Sequence, residues 1–114
     1  MALITHSVST GPGFRVYTWA NVLTGSTVTA AELGGQADRS VQFSGTWGSC
    51  TMILKGSLDD STYFNLTDPQ GNAISKTADA IEQIEEVTRY VQPSFSGGDG
   101  TQSLTISIFV VRKP

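Results

Sequence analysis

The chain has 114 residues, close to the commonest size of one globular domain, so it holds one hydrophobic core and not two. Charged residues are only 15% of the total while Ser and Thr together supply 27 residues and Gly 12, a profile that favours strands and turns over helices. A net charge of −3 with no basic run argues against a nucleic-acid surface, and one Cys with one His rules out an internal disulfide and the usual zinc site of His and Cys ligands.

Met1 to Gly13, with its Thr, Ser, Gly and Pro content, reads as an N-terminal arm in front of a single β domain spanning residues 14–114. Its Leu3, Ile4 and Val8, with Phe14 just beyond, are the apolar side chains expected to meet a partner, either by adding a strand to an exposed edge or by lying along the partner's surface. The alternative for the arm is a plain disordered terminus, and His6 within it reads as a solvated surface residue. The start lacks the basic region and long apolar segment of a secretory signal, and no stretch approaches the roughly 18 apolar residues of a membrane helix. The expectation is a protein made in the cytoplasm with no membrane partner.

Phe14 to Leu23 offers the first long strand, followed by a turn at Thr24-Gly25-Ser26-Thr27. Ser40 to Ser44 and Cys50 to Lys55 alternate polar and apolar residues with period two, and the intervening Gly45-Thr46-Trp47-Gly48-Ser49 predicts a hairpin between them. Turn-rich Gly56 to Ser61 leads into a strand at Thr62 to Thr67, and Asp68-Pro69-Gln70-Gly71-Asn72 makes the next turn. Ala78 to Val87 is open between two readings: its good helix formers place Ile81, Ile84 and Val87 at i, i+3 and i+6, whereas Ala80 to Ile84 also fits a short strand running into a bend at Glu85-Glu86.

Arg89 to Ser96 is rich in strand formers, and Gly97 to Thr101 predicts a second hairpin into Ser103 to Val111. Pro93 cannot donate a ladder hydrogen bond, which places its strand at an edge or at a bulge. The last strand alternates, with Leu104, Ile106 and Ile108 inward, then turns apolar on both faces at Phe109-Val110-Val111 and reads as ending deep in the core. Turn signals every 8 to 12 residues or so predict an all-β fold, an antiparallel β-sandwich of about eight strands, jelly-roll-like, with at most one short helical segment.

The chemistry available is sparse. Cys50 shares a strand face with Met52 and Leu54 and reads as a buried apolar thiol. Asp59, Asp60 and Asp68, with Asn65 and Asn72, do not follow the spacing of an EF-hand and are the residues that tight turns demand. Glu82, Glu85 and Glu86 read as a solvated acidic face, and Gly97-Gly98-Asp99-Gly100 lacks the Lys and the Ser or Thr of a phosphate loop. No catalytic residue, cofactor or metal is therefore expected. Tyr17, Trp19, Trp47, Tyr63 and Phe64 are mostly core by this reading, and an aromatic sugar-binding face is the alternative.

Three stretches, Arg39 to Gly48, Leu54 to Asp68 and Arg89 to Gly100, resemble the small β-sandwich proteins encoded beside the major capsid gene in tailed bacteriophages, the head decoration or cement proteins. The resemblance lies in strand and turn pattern over roughly Tyr17 to Arg112, and it supplies a role but no site. It implies a structural virion protein, not an enzyme, that binds the major capsid protein on the outer surface of the expanded head, self-associates as a dimer or trimer, and stabilises that lattice by mass action. The string Gly56-Ser57-Leu58-Asp59-Asp60-Ser61-Thr62-Tyr63 also resembles discoidin-like sugar-binding sandwiches, which leaves a carbohydrate-binding module on a virion or an enzyme as the alternative. An exposed aromatic row on one sheet face would favour sugar; an apolar, polar-rimmed patch would favour the capsid.

Overall fold

The structure is a computed structural model that describes residues 3–33 and 38–111. The strands in chain order are β1 (Leu3–Ile4), β2 (Ser7–Gly11), β3 (Phe14–Leu23), β4 (Thr27–Val28), β5 (Ala31–Glu32), β6 (Asp38–Thr46), β7 (Cys50–Ser57), β8 (Phe64–Asn65), β9 (Ser75–Lys76), β10 (Ala80–Gln83), β11 (Tyr90–Gly97) and β12 (Ser103–Val111). One sheet has the order β10-β6-β12-β3-β2; the second has the order β5-β11-β7-β8, with β9 also pairing β7. From β5 to β7 and again from β10 to β12 the chain changes sheet at every step. Leaving aside β1, β2, β4 and β9, the two orders β10-β6-β12-β3 and β5-β11-β7-β8 are those of an eight-stranded jelly roll, the all-β sandwich expected from the alternating runs.

Two connections differ from expectation. Ser40 to Ser44 and Cys50 to Lys55 do not pair as a hairpin, and neither do the strands flanking Gly97 to Thr101: β6 pairs β12 and β10, whereas β11 pairs β7 and β5. Alternation shows which side chains face the core but not from which side of it, and a five-residue Gly-rich loop serves either a hairpin or an arch over the core. Gly97 and Gly98, at φ 75° and 103°, turn the chain across the sandwich in a conformation that side chains with a Cβ rarely adopt. Buried Gln102 anchors this arch by donating Nε2–H to the Val22 carbonyl at 3.1 Å.

The segment Ala78 to Val87 settles as a strand. β10 pairs β6 with Ile81 opposite Gln42, then the chain bends at Glu86. The helical spacing was accidental, since Ile84 is buried while Ile81 and Val87 are exposed. Pro93 pairs Leu54 of β7 on one side only; β5 covers β11 no further than Val91, so the missing N–H faces an open edge as expected.

The core lies between the sheets and contains Tyr17, Trp19, Val41, Phe43, Met52, Leu54, Leu104, Ile106 and Ile108. The inward spacing in β3 shifts from two (Tyr17, Trp19) to three (Val22) because Ala20 and Asn21 face the single Thr105 in a bulge. Asn21 takes the left-handed conformation there, at φ 55°, which Asn tolerates better than most residues. Trp19 donates its indole N–H to the Thr29 carbonyl at 2.8 Å, and buried Arg39 donates Nη1–H to the Thr88 carbonyl at 2.7 Å, so both bring their polar ends to backbone acceptors. Cys50 is buried beside Met52 and Leu54 as expected, and burial pushes its thiol pKa up.

The described part of the expected arm is already paired. β2 lies antiparallel along β3, and β1 lies parallel to β4 across the side of the sandwich. Met1 and Ala2 lie outside the described residues. His6, read as solvated, is half-buried: its ring packs 5.5 Å from that of Trp19 and 5.8 Å from that of Tyr17, with Nδ1 3.0 Å from Thr29 Oγ1. This desolvation lowers its pKa.

Candidate functional site

The outer face of the β10-β6-β12-β3-β2 sheet carries a cluster of apolar side chains that has no covering layer. Register places Phe109 of β12 between Val16 of β3 and Ser40 of β6, and Ser107 between Thr18 and Gln42, with Ile81 beyond Gln42. Phe109 is 41% exposed and Ile81 66%. A shallow depression of about 480 Å³ lies among Val16, Gln42, Ile81, Ser107 and Phe109. Phe14 completes the cluster, with its ring 5.5 Å from that of Phe109.

Phe14 is held there by its cross-strand partner. Gly11 pairs Phe14 directly, and a Cβ on Gly11 would stand 2.2 Å from the Phe14 ring, so the outer end of the ring occupies the space that a side chain would fill. Around the cluster the rim is made of Ser9, Thr18, Ser40, Gln42, Gln83 and Ser107. This is an apolar patch with an uncharged polar border, and its aromatic rings sit side by side without forming a groove.

The second exposed feature is the free side of β2. This strand ends its sheet, Ser7 to Thr10 are all exposed, and they include no Lys, Pro or inward-pointing charge. Natural edge strands are usually blunted by such residues, because a row of unpaired N–H and C=O groups templates pairing with another chain.

A third feature is a cavity of about 470 Å³ at the end of the sandwich, rimmed by exposed Leu58, Phe64 and Val87. Its two carboxylates are engaged in holding loops. Asp59 Oδ1 accepts N–H bonds from Ser61 at 2.9 Å and Thr62 at 3.0 Å, which brings its pKa down to about 2. Glu86 accepts from the Thr67 N–H at 2.7 Å and from the Thr67 hydroxyl. The turn reading of Asp59 and Asp68 holds, since Asp68 Oδ1 likewise accepts from the N–H groups of Gln70 and Asn72. The solvated reading of the acidic face holds only for Glu85: Glu82 pairs half-buried with Lys76, and Glu86 clasps Thr67.

Of the four residues expected at a contact, Leu3 and Val8 are exposed, Ile4 packs partly against the core, and Phe14 is half-buried in the outer patch. They do not form one site. Val8 pairs Tyr17 and so takes the inward-facing side of the sheet, opposite to Phe14. Val16, Ile81 and Phe109 were not anticipated. Their signal was present in Phe109-Val110-Val111: two-sided apolar character in a strand of a two-layer sandwich means that one side faces away from the core. Val110 is buried, but Phe109 points outward, so the strand does not end deep in the core. The aromatic residues weighed for sugar are scattered, with Tyr17 and Trp19 in the core, Trp47 bonded to Asp79, Tyr63 bonded to Asp60, and Phe64 alone at the end cavity.

The sequence matches no family model and no curated protein. Among solved structures, the fold is similar to that of the SPBc2 prophage-derived protein YomS. The TM-score is 0.60 at 13% identity, over 92% of this chain and 98% of that one. At that identity the likeness is one of fold.

Proposed function

We propose that this chain is a structural virion protein of a tailed phage, attached to the lattice of the major capsid protein through its N-terminal edge and catalysing nothing. The observation that carries the reading is the undefended β2 edge, with Leu3 and Val8 exposed beside it. Such an edge suits permanent pairing with another protein by strand addition. The choice of a phage partner draws on the sequence resemblance to head decoration proteins and on the likeness in fold to a prophage-derived protein. A rigid jelly roll fits that role, because a protein that binds only the expanded shell stabilises it by mass action without bond chemistry.

The test is co-sedimentation with expanded heads assembled from the major capsid protein of the same genome. The full chain should pellet with the heads, and Thr10→Pro, which removes a backbone donor from the free side of β2, should pellet less. If neither protein pellets and both are retained on a glycan column, the carbohydrate-binding alternative replaces this reading.

A further inference from the structure

We infer that the outer face of the β10-β6-β12-β3-β2 sheet is a two-fold interface between copies of this chain. The first ground is charge. Among the described residues, the outward positions of these five strands carry no charged side chain except Asp38 at one end. The other sheet and its loops carry Glu32, Lys55, Asp59, Asp60, Lys76 and Arg89, and the charges within this sheet, Arg15, Arg39 and Glu82, take its inner side. A chain with net charge −3 repels its own copies. Among the described residues this broad face lets two copies meet without opposing like charges at its centre, and depletion of charge marks the cores of protein interfaces.

The second ground is shape. A two-fold axis brings the same patch of both copies together, so a protrusion must lie next to a hollow of similar size. Phe109 projects beside the depression bounded by Val16, Gln42 and Ile81. Turning one copy over the other places each Phe109 at its partner's depression. Phe14 is pinned over Gly11 and packed at a tilt of 31° against Phe109, so the ring is already oriented and little side-chain freedom is lost on association.

The third ground is area. With strands about 4.8 Å apart and residues about 3.4 Å along each strand, the five strands project roughly 600 Å² before side-chain relief is counted. A stable interface needs about 800 Å² of accessible surface per partner. One sheet face is thus of the right order, and sheets that pack face to face in general stack at about 10 Å with strands some 30° apart. This pairing leaves the β2 edge and its backbone groups outside, so the inference does not depend on what that edge binds.

Sedimentation equilibrium of the full chain tests it, alongside Gln42→Lys, which sets a charge at the centre of the face without disturbing the core, and Phe109→Lys. The wild type should be a dimer, and each variant should raise the dissociation constant at least about tenfold while keeping its circular dichroism spectrum. A wild type that stays monomeric across the accessible concentration range, or that forms a trimer, overturns the inference. So does a dimer untouched by both variants but dissociated by Thr10→Pro, whose lost N–H lies on the free side of β2, which would place the contact at the edge strands.

Discussion

Ile106 is the sharpest probe of the jelly-roll assignment, because it sits at the middle of β12 between Trp19 of β3 and Phe43 of β6, and all three are fully buried. Ile106→Ala removes three carbons from the core, a transfer cost of about 2.4 kcal/mol at about 0.8 kcal/mol per carbon. Trp19 and Phe43 are held by strands on either side and cannot collapse fully into the space, so a cavity term brings the total to about 3–4 kcal/mol. Thr105, one residue away, points outward beside the β3 bulge and is half-buried, so Thr105→Ala should cost no more than about 0.5 kcal/mol. In urea, with a slope of about 1–2 kcal/mol/M, the first change should lower the unfolding midpoint by about 2 M and the second hardly at all. Equal shifts would refute the facing of β12, and with it the assignment of the core to that side of the sheet.

Further outcomes follow from the same geometry. Gly11→Val should displace the Phe14 ring and lower the thermal midpoint, while Ser9→Val, outward on the same strand, should leave it nearly unchanged; a null effect of the first would mean that the ring is not seated over Gly11. Cys50 should react with a thiol reagent only on the timescale of unfolding, because burial raises its pKa and hides it, and rapid modification of the native protein would contradict its place in the core. The lowered pKa of His6 means that its neutral form is favoured in the fold. Its contribution to stability should therefore be complete above pH 6.5 and decline as the pH falls below that value, and a His6→Gln variant should lose this part of the pH dependence. For Asp59 the contribution is present above pH 3.8 and is lost as the pH falls towards about 2, which an Asp59→Asn comparison in acid unfolding would reveal.

The sequence made the fold class legible because inward side chains recur with period two in β6, β7 and β12, and Gly, Asp and Pro punctuate them at the intervals of a sandwich. It left connectivity undecided. A Gly-rich loop between two alternating runs is equally compatible with a hairpin and an arch, and the choice is made by which sheet each strand completes around Trp19 and Met52, a tertiary matter. Ala78 to Val87 was ambiguous for the same reason: its propensity favours helix, and pairing of Ala80 to Gln83 with β6 overrides it. The interaction surface was legible in one residue of four at the outer patch. Phe14 was singled out for its place beside the arm, whereas Val16 and Phe109 lie in strands whose apolar content had been credited wholly to the core. Only the register of β3, β12 and β6 reveals that these two stand side by side on the other face.

Electron microscopy of expanded heads, assembled from the major capsid protein of the same genome and incubated with this chain, tests the proposed role most directly. The account predicts jelly-roll density at regular positions on the outer surface of the shell, with β2 against the capsid subunit and the charged β5-β11-β7-β8 sheet away from any second copy. Heads that emerge bare at saturating protein, or density that meets the shell only through the Leu58, Phe64 and Val87 end of the sandwich, would contradict it.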